Sequence, residues 1–222
     1  MTAHRLFRFL LAAAVVLAAG GASAGRAGQA RVVNCIAAVV NDEIITRTDV
    51  EVAEAFGLAD VPASAGAESR RPVILEKLID RKLVLIQVRE RSAATPPEAI
   101  EAEWKALADR LGPAGIRQRL ERFGLSEADL RAILEQGVRY RLTIENRFGR
   151  SVSVTLKEIE TYYNEIYTPG RAKDGAAVKP LTEVLDAIEA EIKRTKIAAE
   201  AALWLETLRD QAEVEIRPDC LK

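Results

Sequence analysis

The chain has 222 residues, of which 49% are hydrophobic and 5% aromatic, and its formal net charge is −1. This charge balance argues against nucleic acid and acidic membrane surfaces as partners, because both attract proteins with a basic excess. Abundant Ala, Leu, Glu and Arg with few aromatic residues predict a mainly α protein.

Residues 1–24 have the organisation of a cleavable export signal. Arg5 and Arg8 form a positive region, residues 9–19 are apolar, and Ala-Ser-Ala at 22–24 is a small-residue cleavage site. The alternative, a membrane anchor, needs about 20 apolar residues, and this run is shorter. We expect a periplasmic chain with no stable membrane insertion after cleavage. Without Arg5 and Arg8 it keeps 30 basic and 33 acidic residues, a net charge of −3.

A β-hairpin that leads into a helix is predicted at residues 36–56. Two β-branched runs, 36–40 and 44–46, flank Asn-Asp-Glu, and Asn and Asp tolerate the left-handed backbone of a tight turn. Thr48 and Glu51 have the spacing of a capping box for the helix that follows. A hairpin alone is marginal in water, and the other strand-like run is 213–217. We therefore expect the two ends of the chain to meet.

Cys35 and Cys220 are the two cysteines of the chain, so one intramolecular disulfide is possible, and an oxidising compartment permits it. If the last strand runs antiparallel to the first, Cys220 lies opposite Cys35. If it runs parallel, the two are roughly 23 Å apart. We expect the antiparallel arrangement and a Cys35–Cys220 disulfide; the alternative is two unrelated thiols.

Further helices are predicted between the hairpin and the last strand, separated by breaks rich in Gly, Pro and Ser. They cover 72–91, 96–111, 114–123, 127–148, a segment opened by Thr155 and Glu158 that carries Ile166, and 181–212. Thr95 is the expected cap of the second helix, Ser126 with Asp129 is expected to cap the fourth, and Ile192 and Leu203 are expected to be buried in the last. The first of these helices is apolar over much of its circumference and is expected to be central. Its charged remainder, which includes Asp80, Arg81 and Lys82, is expected to face solvent. Residues 168–180 lack apolar periodicity and predict an exposed loop.

The residue content argues against catalysis. The one histidine, His4, belongs to the export signal, so a mature chain has no Ser-His-Asp or Cys-His arrangement and no histidine-based metal site. Gly-rich phosphate-binding motifs are also missing from the sequence. We expect no cofactor, no metal site and no enzymatic activity.

Aromatic and aliphatic side chains on the predicted helices can instead form an apolar groove for an extended peptide. The alternative is ordinary core packing, because apolar stripes at helical spacing usually face the interior. The candidate peptide-binding residues are Trp104, Leu111, Ile116, Leu120, Phe123, Tyr140, Tyr162, Tyr163 and Tyr167.

Four stretches together resemble the chaperone module of the SurA/PrsA-type periplasmic foldases. They are AAVVNDEIITRTDV at 37–50, LEKLIDRKL at 75–83, FGLSEADLR at 123–131 continuing into VSVTLKEIE at 152–160, and PLTEV at 180–184 through AEVEI at 212–216. They keep the family's order and cover most of residues 25–222. The resemblance implies a multi-helix chaperone module whose small β-hairpin is closed by a C-terminal strand.

One departure from this family decides the expected activity. Its members commonly carry parvulin prolyl-isomerase domains where this chain has residues 168–180, which are too few for a domain. The resemblance implies an ATP-independent chaperone that holds unfolded polypeptides, outer-membrane proteins among them. The alternatives are a dedicated assembly factor for one specific protein and, as a third possibility, a residual prolyl isomerase.

Overall fold

The computed structural model describes residues 34–62, 64–89 and 94–221, so the predicted export signal lies outside the described residues. The fold is mainly α with a small three-stranded sheet, which confirms the predicted class. In chain order the elements are β1 (Ile36–Val40), β2 (Glu43–Thr46), α1 (Arg47–Phe56), α2 (Ala67–Val88), α3 (Pro97–Phe123), α4 (Glu127–Phe148), α5 (Leu156–Tyr162), a π-helical turn (Tyr163–Tyr167), α6 (Thr168–Lys173), α7 (Leu181–Gln211), β3 (Val214–Ile216) and a 3₁₀ turn (Pro218–Leu221).

The sheet joins the two ends of the described chain, as the sequence predicts. Its order is β2-β1-β3, and both pairings are antiparallel. Asn41 turns the hairpin with a left-handed φ of 51°. Val40 lies opposite Val214, and Ala38 lies opposite Ile216. This register brings Cys220 to Cys35, and the two form a disulfide with their Cα atoms 5.8 Å apart.

The main core lies between the sheet and α2. Ile74, Leu75, Ile79 and Val84 of α2 are buried against β1, α4 and α7, so this helix is central as predicted. Its long apolar surface removes several large side chains from water, at about 1.5–3 kcal/mol for each. A two-stranded β-hairpin is only marginally stable alone, and packing against α2 stabilises it.

Two smaller clusters extend this core. One joins α1, α3 and α4 through Phe56, Leu107, Leu130 and Leu134. The other joins α5 to the first half of α7 through Ile159, Val184 and Ile188. Among the described residues no helix is long and apolar enough to cross a membrane.

Helix caps confirm two predictions and correct a third. Ser126 with Asp129 caps α4, and Thr155 with Glu158 caps α5, each with both reciprocal hydrogen bonds. The prediction of Thr48 with Glu51 for α1 was wrong, because Thr46 is the cap and Asp49 completes its box. The helix starts two residues earlier because β2 runs into it without a linker.

Three other boundaries also differ from the predictions. α2 begins at Ala67, within the predicted loop. Pro96 rather than Thr95 precedes α3, and Gly112 kinks that helix at φ 69° and ψ 158° where the sequence predicts a break. Residues 168–180 were predicted as a loop, but α6 occupies Thr168–Lys173 because the π-helical turn carries the helical backbone onward.

Candidate functional site

The nine candidate peptide-binding residues do not form one groove. Five of them belong to the cluster of α1, α3 and α4, Tyr140 belongs to the main core, and three tyrosines belong to the cluster of α5 and α7. We therefore describe each group separately.

The α3 group packs around one hydrophobic cluster, and its role in peptide binding stays a prediction. Ile116 is only 6% exposed, and Trp104, Leu111, Leu120 and Phe123 are half-buried around the same cluster. The Arg131 guanidinium lies 4.4 Å from the centroid of the Trp104 ring, so it covers that ring. Glu127 pairs with Arg131 at 2.9 Å and holds it there. Core packing, the alternative considered for these residues, describes this group.

Tyr140 lines neither of the two concavities described below. It is half-buried and packs against the main core on the α4 side. Burial raises the pKa of its phenol, and the Asp80 carboxylate adds to the rise while Arg81 opposes it. The Tyr140 phenol therefore lies close to the charged side chains of Asp80 and Arg81 inside the helical body.

The remaining tyrosines pack α5 and the π-helical turn onto α7. Tyr163 and Tyr167 stack with ring centroids 5.5 Å apart. The Tyr163 hydroxyl donates to the Lys179 carbonyl oxygen at 2.8 Å, which holds the segment before α7 against this turn. One tyrosine of the three, Tyr162, also faces an open surface.

That surface is a shallow hollow of about 310 Å³ between α5, the π-helical turn and α7, lined by Lys157, Glu158, Thr161, Tyr162, Ile166 and Ile192. We call it the α5–α7 hollow. Ile166 is 56% exposed, which is high for a large aliphatic side chain. Ile166 and Ile192 were predicted to lie on helices, Ile192 as a buried residue. No sequence pattern predicted the π-helical turn that positions Ile166.

The rim of this hollow is fixed by a charged network. Lys196 Nζ lies 2.6 Å from one Glu158 oxygen, and the other accepts hydrogen bonds from the Thr155 amide and hydroxyl at 2.9 Å. The hydrogen bond from Lys196, followed by those from Thr155, lowers the pKa of Glu158 to about 2. The same lysine donates to the Ser153 carbonyl at 2.8 Å. Lys196 therefore ties the start of α5 to α7.

A second concavity of about 190 Å³ lies beside β2, and its lining includes Ile44, Ile45, Val52, Leu78, Arg81 and Ile133. We call it the β2 cleft. Ile44 is 50% exposed, whereas Ile45 is buried. Most of the lining is apolar, and the charged members come from α1 and α2.

Arg81 is the unusual member of the β2 cleft, and its prediction as a solvent-facing residue was wrong. Its Nη2 donates to the Leu58 carbonyl oxygen at 2.8 Å, while its buried Nε has no hydrogen-bond partner. Burial lowers the pKa of this guanidinium, and only the weaker effects of Tyr140 and Glu103 oppose that shift. The sequence placed Arg81 beside Asp80 and Lys82, and such a charged run is normally solvated.

Known proteins add no family assignment. No family model matches the chain, and no curated protein matches it. In the part of the chain that the structure describes, no group of three or more His, Cys, Asp or Glu side chains is arranged to hold a metal ion.

Proposed function

We propose that this protein is an ATP-independent periplasmic chaperone that holds unfolded polypeptides, outer-membrane proteins among them, on apolar surface. The observation that carries the proposal is the α5–α7 hollow, in which the half-exposed Ile166 lies beside Tyr162 and Ile192. Exposed apolar concavities of this kind are typical of binding sites for other chains. The sequence resemblance to the chaperone module of periplasmic foldases supports the same proposal.

Further exposed apolar side chains lie near this hollow in the sequence. Leu156 is the first residue of α5, and Val178 lies in the segment between α6 and α7; both are exposed. A surface with several separate apolar points suits unfolded chains, because their aromatic and aliphatic segments differ in spacing from client to client.

Differential binding is a sufficient mechanism for such a surface. An unfolded client exposes apolar segments, which the hollow covers and keeps from aggregating. When the client folds, it buries those segments and its affinity for the chaperone falls, so it is released. No nucleotide and no covalent step is required.

Light scattering of a diluted, urea-unfolded outer-membrane porin tests this proposal. We expect the oxidised protein to suppress scattering at a one-to-one molar ratio, whereas equal albumin does not. Unchanged scattering at that ratio would contradict the proposal.

A pull-down from periplasmic extract separates a general chaperone, which retains many proteins, from the alternative of a dedicated assembly factor, which retains one in stoichiometric amount.

A further inference from the structure

The β2 cleft contains an open strand edge. β2 pairs with β1 on one side only, since the sheet order is β2-β1-β3. The register directs the backbone N–H and C=O of Ile44 away from β1, where another strand can pair with them, whereas the outward Thr46 amide already donates to Asp49. Successive side chains of a strand point to opposite faces, and Ile44 and Ile45 both line the cleft. The cleft therefore runs along this edge of β2.

Arg81 gives the cleft a positive charge that no salt bridge among the described residues neutralises. Of the other charged lining residues, Lys82 pairs with Glu43 at 2.9 Å, and Asp49 accepts hydrogen bonds from the Thr46 amide and hydroxyl. No carboxylate among the described residues forms a salt bridge with Arg81, and its Nε is without a partner. Burying a guanidinium whose Nε lacks a hydrogen-bond partner costs free energy, and a bound anion would offset that cost.

A carboxylate is the ligand group with complementary charge and shape. Its two oxygens match the parallel N–H groups of a guanidinium, and such charge-assisted hydrogen bonds are stronger than neutral ones. Six of the ten lining residues, among them Val52, Leu78 and Ile133, are apolar. The cleft therefore combines an anion-binding group, Arg81, with an apolar surface.

We propose that the β2 cleft binds an extended polypeptide segment as an added strand on β2, with an acidic side chain at Arg81 and an apolar side chain two residues away. Alternate residues of a strand face the same side and are about 7 Å apart, so one segment can supply both groups. Added strands obtain affinity from main-chain hydrogen bonds and specificity from pockets for alternate side chains. This inference rests on the proposed function, because it specifies which client segments the protein selects.

Fluorescence anisotropy with short labelled peptides tests this selectivity. The first peptide has seven residues, an amidated C-terminus, Val and one Glu on one face, and Thr on the other. The second has Gln in place of Glu, and the third is the Gln peptide with a free C-terminal carboxylate. We expect the Glu peptide to bind the oxidised protein about tenfold more tightly than either Gln peptide, as one charged hydrogen-bonding pair contributes.

Two variants assign the effect to Arg81. Arg81→Gln is expected to bind the Glu and Gln peptides equally. Arg70→Gln, a matched control, removes the same charge from an exposed position of the same helix and is expected to keep the tenfold preference. Hydrogen exchange locates the bound peptide, since the Glu peptide is expected to protect the Ile44 amide, which faces away from β1 and is not the one that Asp49 binds. If Arg81→Gln does not fold, the wild-type affinities and this protection decide the matter.

Equal affinity of the wild type for the Glu and Gln peptides would overturn the inference. So would binding of none of the peptides, a preference for the free C-terminal carboxylate, or protection away from β2. These failures differ from failure of the proposed function. Loss of the peptide preference with intact suppression of porin aggregation removes only the cleft's role, whereas absent suppression removes the chaperone proposal itself.

Discussion

Arg209 on α7 reaches across to α2, where its Nη2 lies 2.6 Å from Asp80 Oδ1. The same nitrogen lies 2.7 Å from Glu76 Oε2, so one guanidinium pairs with two carboxylates one turn apart. Burial alone lowers the pKa of Arg209, but the hydrogen bonds to Asp80 and Glu76 outweigh it and raise that pKa. This contact joins the last long helix to the central one, close to the point where the chain enters β3.

Arg209→Gln is expected to lower the free energy of unfolding by about 1–2 kcal/mol, because it leaves the largely buried Asp80 carboxylate without its cation. Arg194→Gln is the control, since Arg194 pairs with Glu191 on an exposed face. Its effect is expected to stay under about 0.5 kcal/mol. Urea denaturation measures both variants, and equal losses would contradict a special role for the contact between α2 and α7.

The Cys35–Cys220 disulfide closes a loop of nearly the whole described chain, because the two cysteines have a sequence separation of 185. Replacing both cysteines by Ser is expected to lower the unfolding free energy by about 2–5 kcal/mol. Thiol reduction of the wild type is expected to produce a similar loss and to leave the double variant unchanged. Urea denaturation with and without dithiothreitol measures both, and a dithiothreitol-insensitive wild type would contradict the prediction.

Acid is expected to weaken the attachment of α5 to α7. The pKa of Glu158 falls from an ordinary value of 4.5 to about 2 in the folded protein, so its charged form contributes stability above pH 4.5 that is lost as the pH falls toward 2. The Tm difference between wild type and Glu158→Gln is therefore expected to be constant above pH 5 and to shrink below 4.5. In a Lys196→Gln background this pH-dependent difference is expected to be smaller. A difference that is independent of pH would refute the assignment.

The kink of α3 depends on a glycine. Gly112 has φ 69° and ψ 158°, a region that is essentially restricted to glycine. Gly112→Ala is therefore expected to lower the unfolding free energy by about 1–3 kcal/mol, although no atom within 4 Å would meet the added Cβ. Gly170→Ala in α6 has equal space without the positive φ and is expected to be neutral or slightly stabilising. Thermal unfolding measures both, and similar Tm values would contradict backbone strain at Gly112.

Local chemistry made much of the fold predictable. Asn41 marks the hairpin turn, the Ser126 and Thr155 boxes mark helix starts, and the hairpin's need for a third strand predicts β3. The start of α1 was missed because two threonines near the end of β2 can each serve as a cap, and only the strand register decides between them.

The candidate site was less predictable, because exposure depends on which helices pack together. Leu203 was expected to be buried from its spacing on α7, yet it is 61% exposed, since no element of the described chain covers its side chain. Trp104 was a candidate for a groove, but Arg131 of another helix covers its ring. Ile166 became a surface residue through a π-helical turn, which shifts the side-chain positions that regular helical spacing predicts.

Leu203 also provides the control for the chaperone proposal. Ile166→Asp places a charge in the α5–α7 hollow without removing a core contact, whereas Leu203→Asp makes the same chemical change at an exposed position of α7 outside it. Both variants are expected to keep the helical circular dichroism of the wild type. Comparing them therefore isolates the hollow from general effects of an added charge.

The most direct measurement is porin aggregation by light scattering with wild type, Ile166→Asp and Leu203→Asp at a one-to-one ratio. A charge in an apolar contact surface must be desolvated when a client binds, so Ile166→Asp is expected to lose most of the suppression. Leu203→Asp is expected to retain the wild-type level. Equal suppression by both variants, or none by the wild type, would contradict the proposal that the α5–α7 hollow holds unfolded chains.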